Sequence, residues 1–372
     1  MTEIYLIRHA QAEGNLYRMM QGHWDGDVTD MGRRQIEALA QRLKDERIDA
    51  LYSSDLYRPR LTACAVTKYH DIPIHTDKRL REINVGPWET LFFANVMHDE
   101  PESADLFMRD PDKWHIEGAE TYADVTARAY PCLEEIALAH PGQRVAVVSH
   151  GVTIRCLLSK ISGISLRDTE NLPICRNTAI SKLRFEAGRF TAEYMNDYSH
   201  IIPLGSLAWS KSADLRHESF NPASDRAYYE RCYADAWQAA HGNLDGFSPA
   251  AYFESAVKHY KKDPGAVLRM YAGEQPAGLI DLDTGRGAHA GVGWISLLYL
   301  HPEFRYQGCG IQLLARAIAK YAALGRRRLR LHAAADNAPA LAFYKKHGFE
   351  ALGSEEDGRL LLMERKLGRQ AQ

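Results

Sequence analysis

The first 200 residues alternate short apolar runs with segments whose apolar residues recur every three or four positions. Apolar runs lie at residues 4–7, 50–52 and 145–148, and the stretch "GRRQIEALAQRLK" stands between the first two. Continuous apolar runs are typical of buried parallel strands, whereas the three-to-four spacing predicts an amphipathic helix. This half of the chain is therefore predicted to be an α/β domain.

The pattern then breaks off and restarts. The stretch "SHIIPLGSLAWSKSAD", residues 199–214, has neither a helix nor a strand period and is the best linker candidate. After it we predict helices near 225–240, 248–262, from about 310 and near 337–347, and strands near 266–272, 276–283, 292–300 and 328–333, then closing strands. A chain of 372 residues, 45% of them hydrophobic, can fill two cores, so we expect domains at residues 1–205 and 212–368.

Composition limits the class of protein. No apolar run approaches the roughly 20 residues of a membrane span, and the N-terminus lacks the basic and then apolar pattern of a signal peptide. The six cysteines have no CxxC or Cys/His ligand spacing, so the sequence indicates neither a disulfide framework nor a zinc site. We expect a cytoplasmic protein with reduced thiols and no membrane partner.

The net charge of −2 hides a difference between the two halves. Residues 1–200 hold 24 Lys and Arg against 30 Asp and Glu, a balance of −6, and the remaining 22 against 18 give +4. A basic second half suits an anionic ligand, although an ordinary solvated surface explains the margin equally well. We expect no nucleic-acid partner, and the sequence does not indicate an oligomeric state.

Charged and titratable residues follow the predicted strands of the first half. Arg8 and His9 end the first run, Arg58 follows the second, and "VAVVSHG" places His150 at the end of the third. Because the carboxyl ends of parallel strands meet at one edge of a sheet, we expect these side chains to converge. Guanidinium groups match phosphate oxygens and a neutral imidazole can attack phosphorus, so the set predicts phosphoryl transfer with His9 as nucleophile.

Five stretches in this order resemble the histidine phosphatase superfamily, which includes the phosphoglycerate mutases: "LIRHAQAEGN", "QGHWDGDVTDMG", "SSDLYRPRLTA", "LREINVGPWE" and "SHG". The resemblance covers about residues 1–200 and implies a three-layer α/β/α fold of the phosphoglycerate mutase type. It implies that His9 becomes phosphorylated and that Arg8, Arg58 and His150 hold the phosphoryl oxygens. Glu82 would be the proton donor, and no metal ion is implied because the arginines supply positive charge.

Three further residues fall where members of this superfamily contact the phosphate or the substrate, namely Asn15, Gln21 and Gly22. Asn15 and Gln21 are equally well explained as turn-capping residues. Ala10 departs from the pattern, because the superfamily usually has glycine after the histidine. A positive φ would cost an alanine about 1 kcal/mol, so we expect an ordinary backbone there and a working site.

The segment after Glu82 bears on the type of reaction. "WHIEGAETYADVTARAYPCLEEI" resembles the phosphatase branch of the superfamily, and the chain has no long insertion of the mutase kind. We therefore expect hydrolysis of a small phosphate ester, with phosphoryl transfer of the phosphoglycerate mutase kind as the alternative.

The second half contains a strand, a glycine turn and a helix in the run "GWISLLYLHPEFRYQGCGIQLLARAIAKYAALG". Glycines allow a backbone to approach a ligand closely, and the N-terminus of a helix binds phosphate oxygens. Followed by "NAPALAFYKKHGFEALG", this run resembles the GNAT family of N-acetyltransferases over about residues 212–368. The resemblance implies a GNAT α/β fold, acetyl-coenzyme A as cofactor and a small amine as substrate.

The cofactor contacts that this resemblance implies come from a loop, a strand and a helix. The loop "RYQGCG" corresponds to the family's pyrophosphate loop, through Arg305, Gly308, Cys309 and Gly310. A bulged strand around Leu298 and Leu300 would hold the pantetheine arm, which Asn337 also approaches. Tyr344 would protonate the leaving thiolate, or it would only anchor its helix as a packed aromatic side chain.

Together the two resemblances predict a bifunctional enzyme, a phosphatase joined to an N-acetyltransferase. The alternative from another class is a regulatory protein in which one half only binds its ligand.

Overall fold

The computed structural model describes residues 1–173, 175–205 and 214–367. Packing divides the chain into two compact units, Met1–Trp209 and Ser210–Gln372, and each unit is described by itself. Among the described residues, no helix is both long enough and apolar enough to cross a membrane.

The first unit contains six strands and seven α-helices in its described residues. In chain order these are β1 (Thr2–Arg8), α1 (Glu13–Tyr17), α2 (Asp30–Leu43), β2 (Ala50–Ser53), α3 (Tyr57–Thr67), β3 (Ile74–Thr76), α4 (Phe93–Asp99), α5 (Pro101–Arg109), α6 (Tyr122–Ala139), β4 (Arg144–Ser149), α7 (Gly151–Ser162), β5 (Ile180–Glu186) and β6 (Arg189–Asp197).

The strands of the first unit form one sheet in the order β3-β2-β4-β1-β5-β6. The first four are parallel, whereas β5 and β6 are antiparallel to their neighbours. The three strands predicted from apolar runs are adjacent in this sheet. Their carboxyl ends therefore form one continuous edge.

Successive residues of β1 face opposite sides of the sheet, as the two-residue period of a strand requires. Ile4 and Leu6 are fully buried against residues of α6 and α7. Tyr5 and Ile7 are buried against residues of α2 and α3. Helices thus cover both faces, and the predicted three-layer α/β/α architecture is confirmed.

The second unit contains seven strands and four α-helices in its described residues. These are β7 (Leu215–Ser219), α8 (Arg226–His241), α9 (Pro249–Lys262), β8 (Val267–Ala272), β9 (Gln275–Asp283), β10 (Val292–Leu300), α10 (Gly310–Ala323), β11 (Arg328–Ala334), α11 (Ala338–Lys346), β12 (Glu350–Glu355) and β13 (Leu360–Lys366).

The sheet of the second unit has the order β12-β13-β11-β10-β9-β8-β7. Its neighbours are antiparallel except β10 and β11, which are parallel. The helices and strands predicted for residues 225–347 all form, within one or two residues, whereas β7 was not predicted. Of the predicted linker, Ser199–Leu204 is a 3-10 helix and residues 206–213 lie outside the described part of the chain.

Candidate active sites

Two histidines lie side by side at the edge of the first sheet. Strand β1 pairs with β4, so that Arg8 stands opposite Ser149, and the backbone N–H of His9 donates to Ser149 O at 2.9 Å. His150 follows β4 directly and precedes α7. The ring centroids of His9 and His150 are 5.1 Å apart. The structure therefore brings the two predicted histidines together.

The proton on His9 is placed by the backbone. Its Nδ1 lies 2.7 Å from Ala10 O, and because a carbonyl only accepts, Nδ1 carries the hydrogen and Nε2 keeps its lone pair. Burial, followed by the charges of Arg58 and Arg8, holds the pKa of His9 well below its usual range. His9 is therefore a neutral imidazole whose free nitrogen can attack phosphorus.

Arg58 is fully buried and joins a loop to the site. Its terminal nitrogens donate to Gly22 O at 2.7 Å and to Trp24 O at 2.9 Å. Burial lowers the pKa of Arg58 to about 10, against the opposing charges of Glu82 and Asp25, and the guanidinium stays charged at neutral pH.

Arg8 lies against the first residue of α7. A Cβ added to Gly151 would stand 3.3 Å from the Arg8 guanidinium carbon, so a glycine allows this close approach. Arg8 also donates a hydrogen bond to Cys175 O. The arginine is thereby held next to the residue that follows His150.

Four of the predicted site residues have a buried polar atom that finds no hydrogen-bond partner among the described residues. These atoms are Arg8 Nε, Arg58 Nε, His150 Nδ1, and both Nε2 and Oε1 of Gln21. Buried polar groups normally have partners, and an unpaired group costs about 1–3 kcal/mol. A set that contains two cations and an imidazole fits an anion with several oxygens, as a phosphoryl group has.

Asn15 and Gly22 serve the loops around the site in the structure. Asn15 Oδ1 accepts from Ala12 N at 3.0 Å and caps α1, so the capping explanation holds for this residue. At Gly22 an added Cβ would come within 2.3 Å of Glu89 Oε1 and of Ile83 O. Gly22 thus permits close packing, while its carbonyl binds Arg58.

Glu89 was not predicted and fixes the same loop from the other side. Its carboxylate accepts from the backbone N–H groups of Gly22, His23 and Trp24, at 3.3, 2.6 and 3.0 Å. Three successive amides around one carboxylate hold the loop while Arg58 binds its carbonyls. Glu89 is the last residue of the quoted stretch "LREINVGPWE". That position is the one feature of the sequence that could have pointed to a role for Glu89.

Glu82 is buried at the N-terminus of α7. Its carboxylate accepts from the backbone N–H groups of Val152 and Thr153, each at 3.1 Å. The Thr153 hydroxyl donates to Arg81 O at 2.7 Å and lies 3.4 Å from Glu82 Oε1. Glu82 Oε1 also accepts from the backbone N–H of Ile83 at 3.1 Å, so three backbone amides hold this carboxylate in place.

Arg128 and Asn177 were also not predicted. Arg128 lies on α6 within the quoted stretch "WHIEGAETYADVTARAYPCLEEI", which indicated a branch of the superfamily but no role for this arginine, and Asn177 lies outside every quoted stretch. Arg128 donates to Arg79 O and Arg81 O at 2.7 and 2.8 Å and to Glu82 O at 2.9 Å, which fixes the loop that carries Glu82. Asn177 Nδ2 donates to His9 O at 3.0 Å.

Ala10 has an ordinary backbone. Its φ is not positive, its N–H donates to Thr62 Oγ1 at 2.9 Å, and its methyl group is fully buried. The ordinary backbone expected at this departure from the superfamily pattern is confirmed.

In the second unit, β10 and β11 separate after a short pairing. They pair from Val292 to Ile295 of β10, and the register with β9 shifts between Ile295 and Leu297, which makes Ser296 the extra residue of a bulge. The strand is bulged, as predicted, but the bulge lies two residues before the predicted Leu298, and Leu298 and Leu300 pair regularly with β9. Within the apolar run, the bulge falls at the polar residue.

The predicted pyrophosphate loop leads into α10. Gly308 has a φ of 82°, and α10 begins at Gly310, where an added Cβ would approach the Phe343 ring to 3.2 Å. Cys309 is fully buried, so its thiol is not at the surface of the loop. Arg305 is engaged within the protein, donating to Leu300 O and to Asp235 at 2.8 Å.

Tyr344 lies on α11, and Asn337 directly precedes this helix. Tyr344 packs edge-on against Phe343 and near Phe349, and burial raises the pKa of its hydroxyl to about 12. It therefore carries a proton at neutral pH, which both of its suggested roles allow. Asn337 Oδ1 accepts from Ala340 N at 3.2 Å and caps the helix.

In the described part of the chain, no group of three or more His, Cys, Asp and Glu could hold a metal ion.

Comparisons with known proteins agree with this division of the chain. A model of the histidine phosphatase superfamily (branch 1) matches residues 4–198, and a model of the acetyltransferase (GNAT) family matches residues 223–349. The chain belongs to the histidine phosphatase superfamily and carries a GNAT domain in its second half.

Several relatives resemble the first unit. Phosphoserine phosphatase 1 of Hydrogenobacter thermophilus is 32% identical over 201 residues, 54% of this chain and 95% of that protein. The metal-independent phosphoserine phosphatase of Arabidopsis thaliana is 30% identical over 218 residues, 58% of this chain and 90% of that protein. The solved structure of Bacillus stearothermophilus YhfR has a TM-score of 0.53 and 31% identity, covering 54% of this chain and all of YhfR. These relatives are named as enzymes and support an enzyme in the first half of this chain.

Proposed function

We propose that the first unit hydrolyses a small phosphate ester through a phosphohistidine at His9. His9 Nε2 attacks phosphorus and the bond from phosphorus to the ester oxygen breaks, while Glu82 gives a proton to the leaving alkoxide. Water then attacks the phosphohistidine and returns its proton to Glu82. Phosphate leaves and His9 is restored.

The observation that carries this proposal is the set of buried, unpartnered polar atoms beside a neutral histidine. Arg8 and Arg58 bring positive charge to the place where negative charge spreads over the phosphoryl oxygens. The same two charges favour the uncharged form of His9. One arrangement therefore supports both the nucleophile and the transition state.

For the substrate, the relatives suggest a phosphorylated amino acid or hydroxy acid, because two of them are named as phosphoserine phosphatases. Phosphoserine is thus the first ester to test, followed by other small phosphomonoesters. Another relative, from Arabidopsis thaliana, is named phosphoglycerate mutase-like protein 4 and is 32% identical over 210 residues. Phosphoglycerate belongs in the panel for that reason.

The test measures phosphate release by the wild type, His9→Ala and His98→Ala in excess chelator. His98 is a matched control because it is an exposed histidine on α4. We expect turnover by the wild type and His98→Ala, none by His9→Ala, and an acid-labile phosphoenzyme after a rapid quench. Turnover that persists in His9→Ala would refute the route, and transfer between positions of phosphoglycerate without release would favour the mutase alternative.

For the second unit, we propose N-acetylation of a small amine with acetyl-coenzyme A. Among the described residues, β10 has no parallel partner beyond Ile295, so its backbone groups on that side can face a ligand, apart from Leu300 O, which Arg305 binds. The turn at Gly308 and the N-terminus of α10 suit a pyrophosphate. The cofactor supplies an activated acetyl group, and Tyr344 holds a proton that a leaving thiolate would take.

Binding and turnover are tested separately, because a domain that only binds is the regulatory alternative. Calorimetry with acetyl-coenzyme A compares the wild type with Gly308→Ala and with Gly358→Ala, a glycine of similar φ (89°) in the turn between β12 and β13. We expect weaker binding for Gly308→Ala alone. Release of free thiol with an amine panel then detects transfer, and binding without release for any amine would favour the regulatory protein.

A further inference from the structure

Ser54 connects β2 to the second histidine of the phosphatase site. It follows the last residue of β2 and is fully buried, as is His150. Its backbone N–H donates to Val148 O at 2.9 Å, which ties it to β4. Its hydroxyl oxygen lies 2.9 Å from His150 Nε2. The hydroxyl therefore reaches the histidine from a strand next to β4.

The hydrogens on Leu56 and Ser54 indicate which group donates in the contact between Ser54 and His150. The backbone N–H of Leu56 points at Ser54 Oγ at 3.4 Å and can only donate. The single hydrogen of the Ser54 hydroxyl then has His150 Nε2 as its acceptor among the described residues. A neutral imidazole that accepts at Nε2 carries its own hydrogen on Nδ1. That Nδ1 is buried and has no partner among the described residues.

We propose that Ser54 is a positioning residue for phosphoryl transfer, holding His150 as the Nδ1–H tautomer so that it donates a hydrogen bond to the phosphoryl group. The proposal rests on the proposed phosphatase function. His9 is set in the opposite sense, with Nδ1–H turned to Ala10 O and Nε2 free. Two neighbouring histidines thus take complementary forms, one with a lone pair for phosphorus and one with a hydrogen for its oxygens.

Without the Ser54 hydroxyl, nothing among the described contacts of His150 selects this tautomer. The hydrogen could move to Nε2 and leave a lone pair at Nδ1 facing the phosphoryl oxygens. Removing one donor of this kind lowers rates by about 10²–10³-fold, so a partial loss in Ser54→Ala should lower kcat by roughly 10–100-fold. Ser54→Thr keeps the hydroxyl and should recover much of that loss.

The pH dependence separates tautomer selection from a structural role. Burial, followed by the charges of Arg58 and His9, holds the pKa of His150 well below its usual range. The ratio of wild-type to Ser54→Ala rates should therefore be constant around neutral pH and shrink only well below the ordinary histidine pKa, where an imidazolium carries hydrogens on both nitrogens. The groups that act on His150 are Arg8 and His9 beside β4, Arg58 on α3 and Arg128 on α6. All are present in both proteins, so they cancel in the ratio.

Ser53→Ala is the matched control. Ser53 is also fully buried, and its hydroxyl donates to Ser54 O at 2.8 Å without contact to a histidine. We expect Ser53→Ala to leave the pH profile unchanged. An equal, pH-independent loss in both alanine variants would overturn the proposal and leave a packing role.

A direct measurement uses the ¹⁵N shifts of the imidazole in histidine-labelled full-length protein, with His150 assigned by its absence in His150→Asn. We expect a protonated-type Nδ1 and an acceptor-type Nε2 in the wild type, reversed or averaged in Ser54→Ala. An acceptor-type Nδ1 in the wild type would overturn the proposal. If no phosphate ester is hydrolysed, the proposed function fails, while the nitrogen shifts still decide the tautomer.

Discussion

Asp281, on β9, is a buried carboxylate that joins both neighbouring helices of the second unit to the sheet. It is 1% exposed; Tyr229 Oη of α8 donates to it at 2.8 Å, and His259 Nδ1 of α9 lies 2.7 Å away. Asp281→Asn keeps the shape and removes the charge. A hydrogen bond to a charged group contributes about 1.5–3 kcal/mol, and breaking a buried pair costs about 3–5 kcal/mol. We expect a loss of about 3–5 kcal/mol in the free energy of unfolding of this unit.

The loss should depend on pH because His259 titrates. Burial alone would lower the pKa of His259, but the hydrogen bond and charge of Asp281, helped by Asp283, raise the pKa above its usual value. A raised pKa in the folded state gives its full stabilisation below the unfolded pKa of about 6.5 and loses it as the pH rises through the folded pKa. The difference between wild type and Asp281→Asn should therefore be largest in mild acid and shrink in alkaline solution.

Scanning calorimetry of the full chain measures the melting temperature of the second unit at each pH, and the melting temperature of the first unit is the internal reference. A domain of this size loses about 2–4 °C per kcal/mol, so the melting temperature of the second unit should fall by roughly 6–20 °C. Hydrogen exchange of peptides from α8 and α9 identifies the transition.

The control is Asp283→Asn, whose carboxylate is 27% exposed and 3.5 Å from His259 Nε2. It should cost less than about 1 kcal/mol. Equal losses in the two variants, or a difference that does not change with pH, would refute the reasoning.

Three further predictions concern the first unit. Glu82→Gln should slow hydrolysis of alkyl phosphates about 10²–10⁴-fold and of p-nitrophenyl phosphate far less, since a good leaving group needs no proton; equal losses in steady-state rate would contradict this. Gly151→Ala places a Cβ 3.3 Å from the Arg8 guanidinium carbon and should raise the inhibition constant of inorganic phosphate several-fold. Because burial, then Arg58 and Arg8, hold the pKa of His9 well below its usual range, kcat/KM should show no limb near the ordinary histidine value in a pH–rate profile.

The site residues that the sequence predicts lie at or shortly after the ends of strands. Arg8, His9 and His150 come directly after continuous apolar runs, and such runs pair as neighbouring parallel strands, so their ends must share one edge. Arg58 comes shortly after the strand on the other side of β4. Convergence of the four residues needs only this local pattern.

The unpredicted part depends on single contacts that no periodicity marks. The tautomer of His9 is set by the carbonyl of the next residue, and the tautomer proposed for His150 by a hydroxyl 96 residues away. Glu89 and Arg128 bind backbone atoms, which every sequence supplies, so their identity carries little information about what they hold. An apolar run predicts an uninterrupted strand, so it does not indicate that the hydrogen-bond ladder breaks at the bulge of Ser296.

The phosphatase site is assembled from segments that are distant in sequence, which has a consequence for folding. Ser54 and His150 are 96 residues apart, and Arg8 and Cys175 are 167 apart. Forming a contact between residues so far apart requires the closure of a long loop. The loss of chain entropy comes before the contact stabilises the fold, and folding is therefore slow. We expect phosphatase activity to return in the last refolding phase of this unit, after its helices have formed. Recovery of turnover would then report completion of the fold more strictly than far-UV circular dichroism does.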